Sequence, residues 1–119
     1  MIHASTEEHA RFGVEPGWTF TLRHRVRWSE CDPFGHANHR AYFEWFEEAR
    51  NRYLEAVGLP ALSSNSPGPV IAEAGIRYHR PLAYGDEILV SARFGSDARA
   101  SRWNTRCGTR VCAPWGERC

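Results

Sequence analysis

The sequence predicts an α+β domain in which one long helix packs on an antiparallel sheet. Three observations support this fold class: an alternating segment at 18–28, a long helical pattern after it, and two more alternating segments at 70–79 and 88–94. Alternation with a period of two is typical of half-buried strands, whereas apolar residues three and four apart are typical of an amphipathic helix. A strand, a long helix and then further strands follow the order of an α+β domain.

The first strand is predicted at 18–28, where apolar and polar residues alternate. Residues 1–17 show neither period and end on Glu-Pro-Gly, so we expect a loose N-terminal lead-in before a domain that spans 18–97. The face of the strand that we expect to be buried carries Trp18, Phe20, Leu22, His24, Val26 and Trp28.

A helix of about five turns is predicted after the loop at 29–39. Asn38 is a suitable N-cap, Gly58 a suitable stop, and Pro60 prevents continuation of the helix. The apolar face is almost wholly aromatic and consists of Tyr42, Trp45, Phe46, Ala49, Tyr53, Ala56 and Val57.

Two further strands are predicted after a turn-rich connector, at 70–79 and 88–94. Between them, Pro81 cannot donate to a strand ladder and Gly85 suits a tight turn. We therefore expect the third strand to run antiparallel to the second.

Composition indicates an ordinary soluble domain. Fifteen basic and fourteen acidic residues give a formal net charge of +1, which gives no reason to expect nucleic acid or a membrane surface as a partner. No apolar stretch reaches the roughly 18 residues of a membrane span. The N-terminus lacks the basic and apolar regions of a signal peptide, so we expect a cytoplasmic protein.

The tail at 98–119 follows neither period and holds three of the four cysteines. These cysteines form no CxxC pair, which disfavours a zinc site, and the absence of a signal peptide disfavours a disulfide. All basic residues are arginine, the mark of GC-rich coding. We interpret the atypical tail as GC-rich sequence read out of frame, since a one-base shift from Arg102 permits a strand-like run. The C-terminal strands of the sheet would then be missing or altered.

The polar run DPFGHANH at 32–39 precedes the predicted helix, which contains an E-x-A-R sequence. With its flanking segments it resembles the signature of the 4-hydroxybenzoyl-CoA thioesterase-like, or acyl-CoA thioesterase, family, in which D-x-x-G-H-x-N is followed by an aromatic residue and an E-x-A-R helix. The segment PVIAEAGIRYHRPLAYGDEI resembles the strand pair that follows in this family. The likeness covers about 18–95 and excludes the tail. The matching loop and aromatic residues are Asp32, Gly35, His36, Asn38 and Tyr42.

The resemblance implies a hotdog fold, a long helix wrapped by a curved antiparallel sheet. It implies a homodimer or homotetramer with active sites at subunit interfaces, and hydrolysis of acyl-CoA or another acyl thioester with neither metal nor cofactor. Asp32 matches the catalytic acid of the family. The further catalytic candidates are Gly35, His36 and His39, and the candidates for substrate binding are Asn38 and Tyr42.

The residue chemistry agrees with this reaction. The carboxylate of Asp32 can attack the thioester or activate water. Free N–H groups at a helix start can stabilise the oxyanion, with one donor worth about 3 kcal/mol. Gly35 lets a backbone N–H approach without a Cβ in the way, and His36 or His39 can hold water or polarise the thioester.

Several of these residues also have a purely structural explanation. Asp32 can form a turn, His36 can orient the loop, and Asn38 can act only as a cap. We interpret Cys31 as a small loop residue, not as a nucleophile. The alternatives for the whole chain are a non-catalytic or truncated hotdog domain, a hotdog hydratase, and a thioesterase that acts on acyl carrier protein. Candidates for contact with CoA phosphates are Arg23, Arg25, Arg27, Arg77 and Arg80.

Overall fold

Four strands and two helices make up the part of the chain that the computed structural model describes, residues 1–58, 71, 73–96 and 105–113. The strands pair antiparallel throughout, in the order β1-β2-β3-β4. The elements are β1 (Ile2–His3), α1 (Thr6–Arg11), β2 (Phe20–Arg25), a 3-10 turn (Trp28–Glu30), α2 (His39–Ala56), β3 (Glu87–Ser96) and β4 (Thr105–Cys112).

The long helix α2 confirms the prediction at both ends. Its N-cap is Asn38, and it closes at Val57 before Gly58, whose φ of 86° belongs to the left-handed region. Its packing on the sheet confirms the α+β class. Among the described residues, no helix is both long and apolar enough to cross a bilayer. The residues that α2 buries are Ala41, Tyr42, Trp45, Ala49 and Leu54.

The core lies between α2 and one face of β2 and β3. The register places Leu22 opposite Val90 and Phe20 opposite Ala92, so their side chains reach the same face of the sheet. The buried members of this core are Leu22, Val26, Ala41, Tyr42, Trp45, Ala49, Leu82, Ile88, Val90 and Ala92.

The expectation of a loose lead-in at 1–17 is wrong for the segment that holds β1 and α1. Ser5 Oγ accepts from the Glu8 amide at 3.2 Å, and Glu8 Oε2 accepts from the Ser5 amide at 2.8 Å, which forms a capping box. Phe12 then packs against Leu89 on the other face of the sheet. A six-residue helix is too short to show a period, but the Ser-x-x-Glu spacing was visible.

The strand predicted at 70–79 is absent from its described residues, 71 and 73–79. Its expected partner, β3, pairs with β2 along one edge and with β4 along the other. Both edges of β3 are occupied over 89–92, so 73–79 cannot pair with β3 there. Residues 70 and 72 lie outside the described residues.

The tail contains a strand that its pattern did not predict. The β4 ladder runs from Ser96 paired with Thr105 to Leu89 paired with Cys112. Main-chain bonds can hold such a ladder without alternating side chains. Cys112 is buried and disulfide-bonded, which corrects the interpretation that disfavoured a disulfide. The rest of the tail, 98–104 and 114–119, lies outside the described residues.

Candidate active site

The segment at 31–38, here called the Asp32 loop, is closed by its own backbone. The Asn38 amide donates to the Glu30 carbonyl at 2.8 Å, and the Asp32 amide donates to the His36 carbonyl at 2.9 Å. Between them, the backbones of Cys31 and Ala37 form an antiparallel β-bridge. These contacts form a narrow antiparallel stem. The loop therefore presents Asp32 at a defined position immediately before α2.

Gly35 completes the turn at the tip of the Asp32 loop. Its amide donates to the Asp32 carbonyl at 3.0 Å, and its φ is 82°, a conformation that favours glycine. We expected the Gly35 N–H to face a substrate carbonyl, but here that N–H closes the turn. The role that the geometry supports for Gly35 is conformational.

The Asp32 carboxylate is oriented by the same turn. Its Oδ1 accepts from the Phe34 amide at 2.9 Å, and Oδ2 has no hydrogen-bond partner within the described part of the chain. The side chain is half-buried. One oxygen is thus held by the protein while the other remains available to a ligand or water.

A second turn, at 82–86, braces the Asp32 loop against β2. The Ala37 amide donates to the Leu82 carbonyl at 2.7 Å, and His36 forms a bridge with Ala83. The Gly85 amide donates to the Val26 carbonyl at 2.9 Å. The segments that precede α2 and β3 are therefore hydrogen-bonded to each other, and the second of them also binds the residue that follows β2.

The start of α2 leaves a backbone donor beside the Asp32 loop. Asn38 Oδ1 accepts from the Arg40 amide at 3.0 Å, and the Asn38 carbonyl accepts from the Ala41 amide at 2.9 Å. The first N–H groups of a helix lack partners inside it, and the His39 amide is one of these. The His36 and His39 side chains are both exposed, with no hydrogen-bond partners in the described residues.

Tyr42 belongs to the core. Its ring lies 4.9 Å from that of Trp45 and meets Tyr78 edge-on at 5.0 Å. Burial raises the pKa of the Tyr42 hydroxyl to about 12, and Tyr78 and Asp86 add to this. The hydroxyl therefore stays neutral at physiological pH, and the contacts support the packing explanation of Tyr42.

Glu30 is a residue of the site that the sequence reasoning missed. Its carboxylate accepts from His24 Nε2 at 3.0 and 3.1 Å, from Trp45 Nε1 at 3.0 Å and from the Arg27 amide at 2.8 Å. The signal was an acid two residues before Asp32. The partners could not be identified from sequence because they come from β2 and α2.

Cys31 is not activated as a nucleophile. Burial raises the pKa of its thiol, and the nearby carboxylates of Glu30, Asp32 and Asp86 raise it further. A thiolate is the reactive form of cysteine, so this environment suppresses it. The geometry supports the interpretation of Cys31 as a loop residue.

Exposed aromatic side chains surround this end of the fold. Trp28, predicted to face the core, is 79% exposed, because β2 ends at Arg25 and a 3-10 turn begins at Trp28. Phe34 at the loop tip is 86% exposed and Tyr84 in the second turn 63%. We call these three residues the aromatic rim.

A cleft of about 680 Å³ adjoins the rim, lined among others by Arg23, Arg25, Arg27, Trp28 and Tyr84. Arg25 Nε donates to the Gly85 carbonyl at 3.3 Å, and Arg23 pairs with Glu8 at 2.7 Å. Neither Arg25 nor Arg27 pairs with a carboxylate in the described ranges. Arg77 and Arg80, also candidates for phosphate contact, are exposed and do not line the cleft.

The described residues contain no group of three His, Cys, Asp or Glu side chains arranged to hold a metal ion.

The chain is similar to known thioesterases. The profile of the thioesterase-like superfamily matches residues 26–108. An Aquifex aeolicus protein whose name carries the word esterase is 38% identical over 73 residues, 60% of this chain. An acyl-acyl carrier protein thioesterase of Arabidopsis thaliana is 28% identical over 78 residues, 64% of this chain. The chain spans only 57% and 41% of these two curated relatives.

Solved structures show the same fold. A Thermus thermophilus thioesterase, crystallised with coenzyme A and zinc, has a TM-score of 0.64 and is 28% identical. The match covers 82% of this chain and 74% of that one. The long helix and antiparallel sheet of this chain are those that the resemblance implied.

Proposed function

The chain is a member of the thioesterase-like superfamily of hotdog proteins, and from this membership we propose that it hydrolyses acyl thioesters with Asp32 as the reacting carboxylate. The observation that carries the proposal is the closed Asp32 loop at the start of α2. It combines a half-buried carboxylate, one oxygen of which has no partner in the described residues, with the amide of His39, which as the first residue of α2 has no partner inside the helix.

Two routes use this arrangement. In the first, Asp32 attacks the thioester carbonyl, the C–S bond breaks, and water hydrolyses the acyl anhydride that forms. In the second, Asp32 takes a proton from a water molecule that attacks the same carbon, the C–S bond then breaks, and the departing sulfur takes up that proton. Both routes release a free acid and a thiol, and both need negative charge to be stabilised on the carbonyl oxygen.

The start of α2 supplies that stabilisation. The His39 amide and the positive end of the helix can stabilise developing negative charge, and one such donor is typically worth about 3 kcal/mol. The exposed imidazoles of His36 and His39 can hold the attacking water or polarise the thioester. Asn38 acts through the cap that fixes this helix end, and Tyr42 supports it from the core.

Replacement of Asp32 by Asn tests the assignment, because the amide is close to isosteric but can neither attack nor accept a proton effectively. We expect hydrolysis of a panel of short, long and aromatic acyl-CoAs to fall by about 100-fold or more, the scale of general-base contributions. The measurement is loss of thioester absorbance, with oligomeric state and melting temperature checked for both proteins. If folded D32N kept parental activity, Asp32 would not be the reacting group.

The carrier that we propose is coenzyme A. The cleft beside the rim offers the guanidinium groups of Arg25 and Arg27 for phosphates, and the rings of Trp28 and Tyr84 for a base. Guanidinium groups bind phosphate through paired hydrogen bonds, and they stack on aromatic faces. Glu87, also in the lining, is already paired with Arg11 at 3.0 Å.

Charge reversal at Arg25 and Arg27 tests the carrier. The R25E/R27E variant should raise KM for acyl-CoA about 100-fold or more, since each lost charge-assisted contact costs roughly 1.5–3 kcal/mol. KM for the matching acyl-pantetheine, which lacks the nucleotide, should stay at the parental value. The matched control is R77E/R80E, which reverses two exposed arginines outside the cleft. Equal effects on both substrates would favour an acyl carrier protein or another carrier without a nucleotide.

The second candidate is a non-catalytic hotdog domain. It is favoured by the absence of a strand at 71 and 73–79, which leaves the sheet different from the one expected, whereas the pairing of β4 with β3 argues against a tail without strands. A parent chain that is folded, oligomeric and inactive on the whole thioester panel would favour this candidate. Conversion of an enoyl thioester without release of thiol would instead indicate a hydratase.

A further inference from the structure

Glu30 connects β2, the 3-10 turn and α2 around the Asp32 loop. Its carboxylate binds His24 of β2, Trp45 of α2 and the Arg27 amide, with N···O distances of 2.8–3.1 Å. Its backbone carbonyl accepts from the Asn38 amide at 2.8 Å. One residue thus holds the strand that leads into the loop, the 3-10 turn, the helix cap and the middle of the helix.

The Glu30 carboxylate is ionised in this setting. Its side chain is only 12% exposed, and this burial opposes ionisation. The hydrogen bonds from Arg27, Trp45 and His24 outweigh that effect and hold the pKa of Glu30 below its usual value. Hydrogen bonds to an ionised acceptor are about twice as strong as those between neutral groups. The contacts of Glu30 are therefore stronger than those of an ordinary loop residue.

Both ends of the Asp32 loop are attached to Glu30. The loop leaves from Glu30 itself and returns at Asn38, whose amide binds the Glu30 carbonyl. Asp32 lies two residues beyond this point, and Asn38 directly precedes the oxyanion donor of α2. A shift of Glu30 would move the Asp32 carboxylate relative to the start of α2.

We propose that Glu30 is the positioning residue of the active site: its buried carboxylate fixes the distance between the reacting carboxylate of Asp32 and the oxyanion donor at the start of α2. This inference rests on the proposed function of Asp32. Glu30 itself touches no substrate. It acts through the backbone, by keeping the loop stem and the N-cap in register with His24 and Trp45.

The test compares Glu30→Ala and Glu30→Gln with the parent chain. Gln keeps one carbonyl oxygen, which can accept from His24 and Trp45, whereas Ala removes all three side-chain contacts. The matched control is Ser91→Ala, which removes a buried 2.8 Å hydrogen bond to Thr21 in the same sheet without touching the loop. Two readouts are taken on each full chain: amide hydrogen exchange of 31–38, and kcat and KM for an acyl-CoA.

We expect E30A to speed exchange of 31–38 by about tenfold or more while 87–92 stays protected. We expect its kcat to fall by about 10–100-fold, the cost of a misplaced reacting group, with KM within about twofold of the parental value. E30Q should recover part of both losses. S91A should lower the melting temperature without faster loop exchange.

Parental loop exchange in E30A, or the same increase in S91A, would overturn the proposal. So would a normal kcat in E30A in spite of a loosened loop. Failure of the proposed function has a different signature: a parent chain without turnover, or an active D32N variant. Hydrogen exchange reports on the loop independently of activity, so the two failures are distinguishable.

Discussion

At the scale of single residues, the Asp32 loop depends on backbone geometry as much as on its carboxylate. Gly35 has a φ of 82°, and a Cβ built on it would meet nothing within 4 Å. Any effect of a side chain there must come from the backbone conformation, because there is no steric contact to relieve. The role of Gly35 can therefore be tested without a confounding clash.

Gly35→Ala should destabilise the fold by roughly 1–2 kcal/mol, the cost of an L-residue in the left-handed region, and should lower kcat because the turn that orients Asp32 would relax. Gly75→Ala is a matched control, since Gly75 also has open space around its Cβ position but no positive φ. Melting temperature and kcat check both variants. A G35A protein as stable and active as G75A would show that the turn tolerates another conformation.

At the scale of elements, α2 was the most predictable part of the molecule and the Glu30 network the least. The aromatic period, Asn38 and Gly58 predicted the helix with both of its ends. Periodicity reports on one element at a time, so it could not identify contacts of Glu30 that come from two other elements. It also could not show that the segment predicted as a strand at 70–79 forms none in its described residues, because pairing depends on which sheet edges are free.

In the candidate site, too, single residues were predictable from the sequence and contacts between elements were not. Asp32, Asn38 and the histidines were predicted as site residues from the loop motif, and the structure places them in the Asp32 loop and at the first residue of α2, while their roles stay predictions. The helical period placed Tyr42 on the apolar face, and the structure buries it there. The engagement of the Gly35 amide and the contact of Tyr42 with Tyr78 were not predictable, because both depend on how the loop closes and on what packs above the helix.

Asn38 allows capping to be separated from substrate binding. Its Oδ1 accepts from the Arg40 amide at 3.0 Å, and an Asp carboxylate can accept the same bond. Asn38→Ala should lose about 1 kcal/mol of stability, the usual worth of an N-cap, whereas Asn38→Asp should lose little. Thermal unfolding measures the first effect, and KM for an acyl-CoA measures any second role. A stable N38D protein with a strongly raised KM would indicate that the amide group binds the substrate.

At the scale of the whole molecule, the aromatic rim is a set of exposed large apolar side chains. Trp28, Phe34 and Tyr84 are each more than 60% exposed and lie around the Asp32 loop. Large exposed apolar groups beside a polar site are typical of a surface that another chain covers. Together with the family, this favours the homodimer or homotetramer that the resemblance implied, with the active site near the contact between subunits.

Phe34→Asp should therefore shift the protein toward monomer in sedimentation experiments and lower its activity, because the rim would no longer exclude water from the contact. Hot-spot aromatic residues often cost about 2 kcal/mol or more when they are lost, which corresponds to a dissociation constant raised about 30-fold. Val57→Asp is the matched control, since Val57 is 56% exposed but lies at the far end of α2. The mass of the V57D assembly in sedimentation should equal that of the parent. Equal masses for parent, F34D and V57D would place the subunit contact away from the rim and make the site complete within one chain.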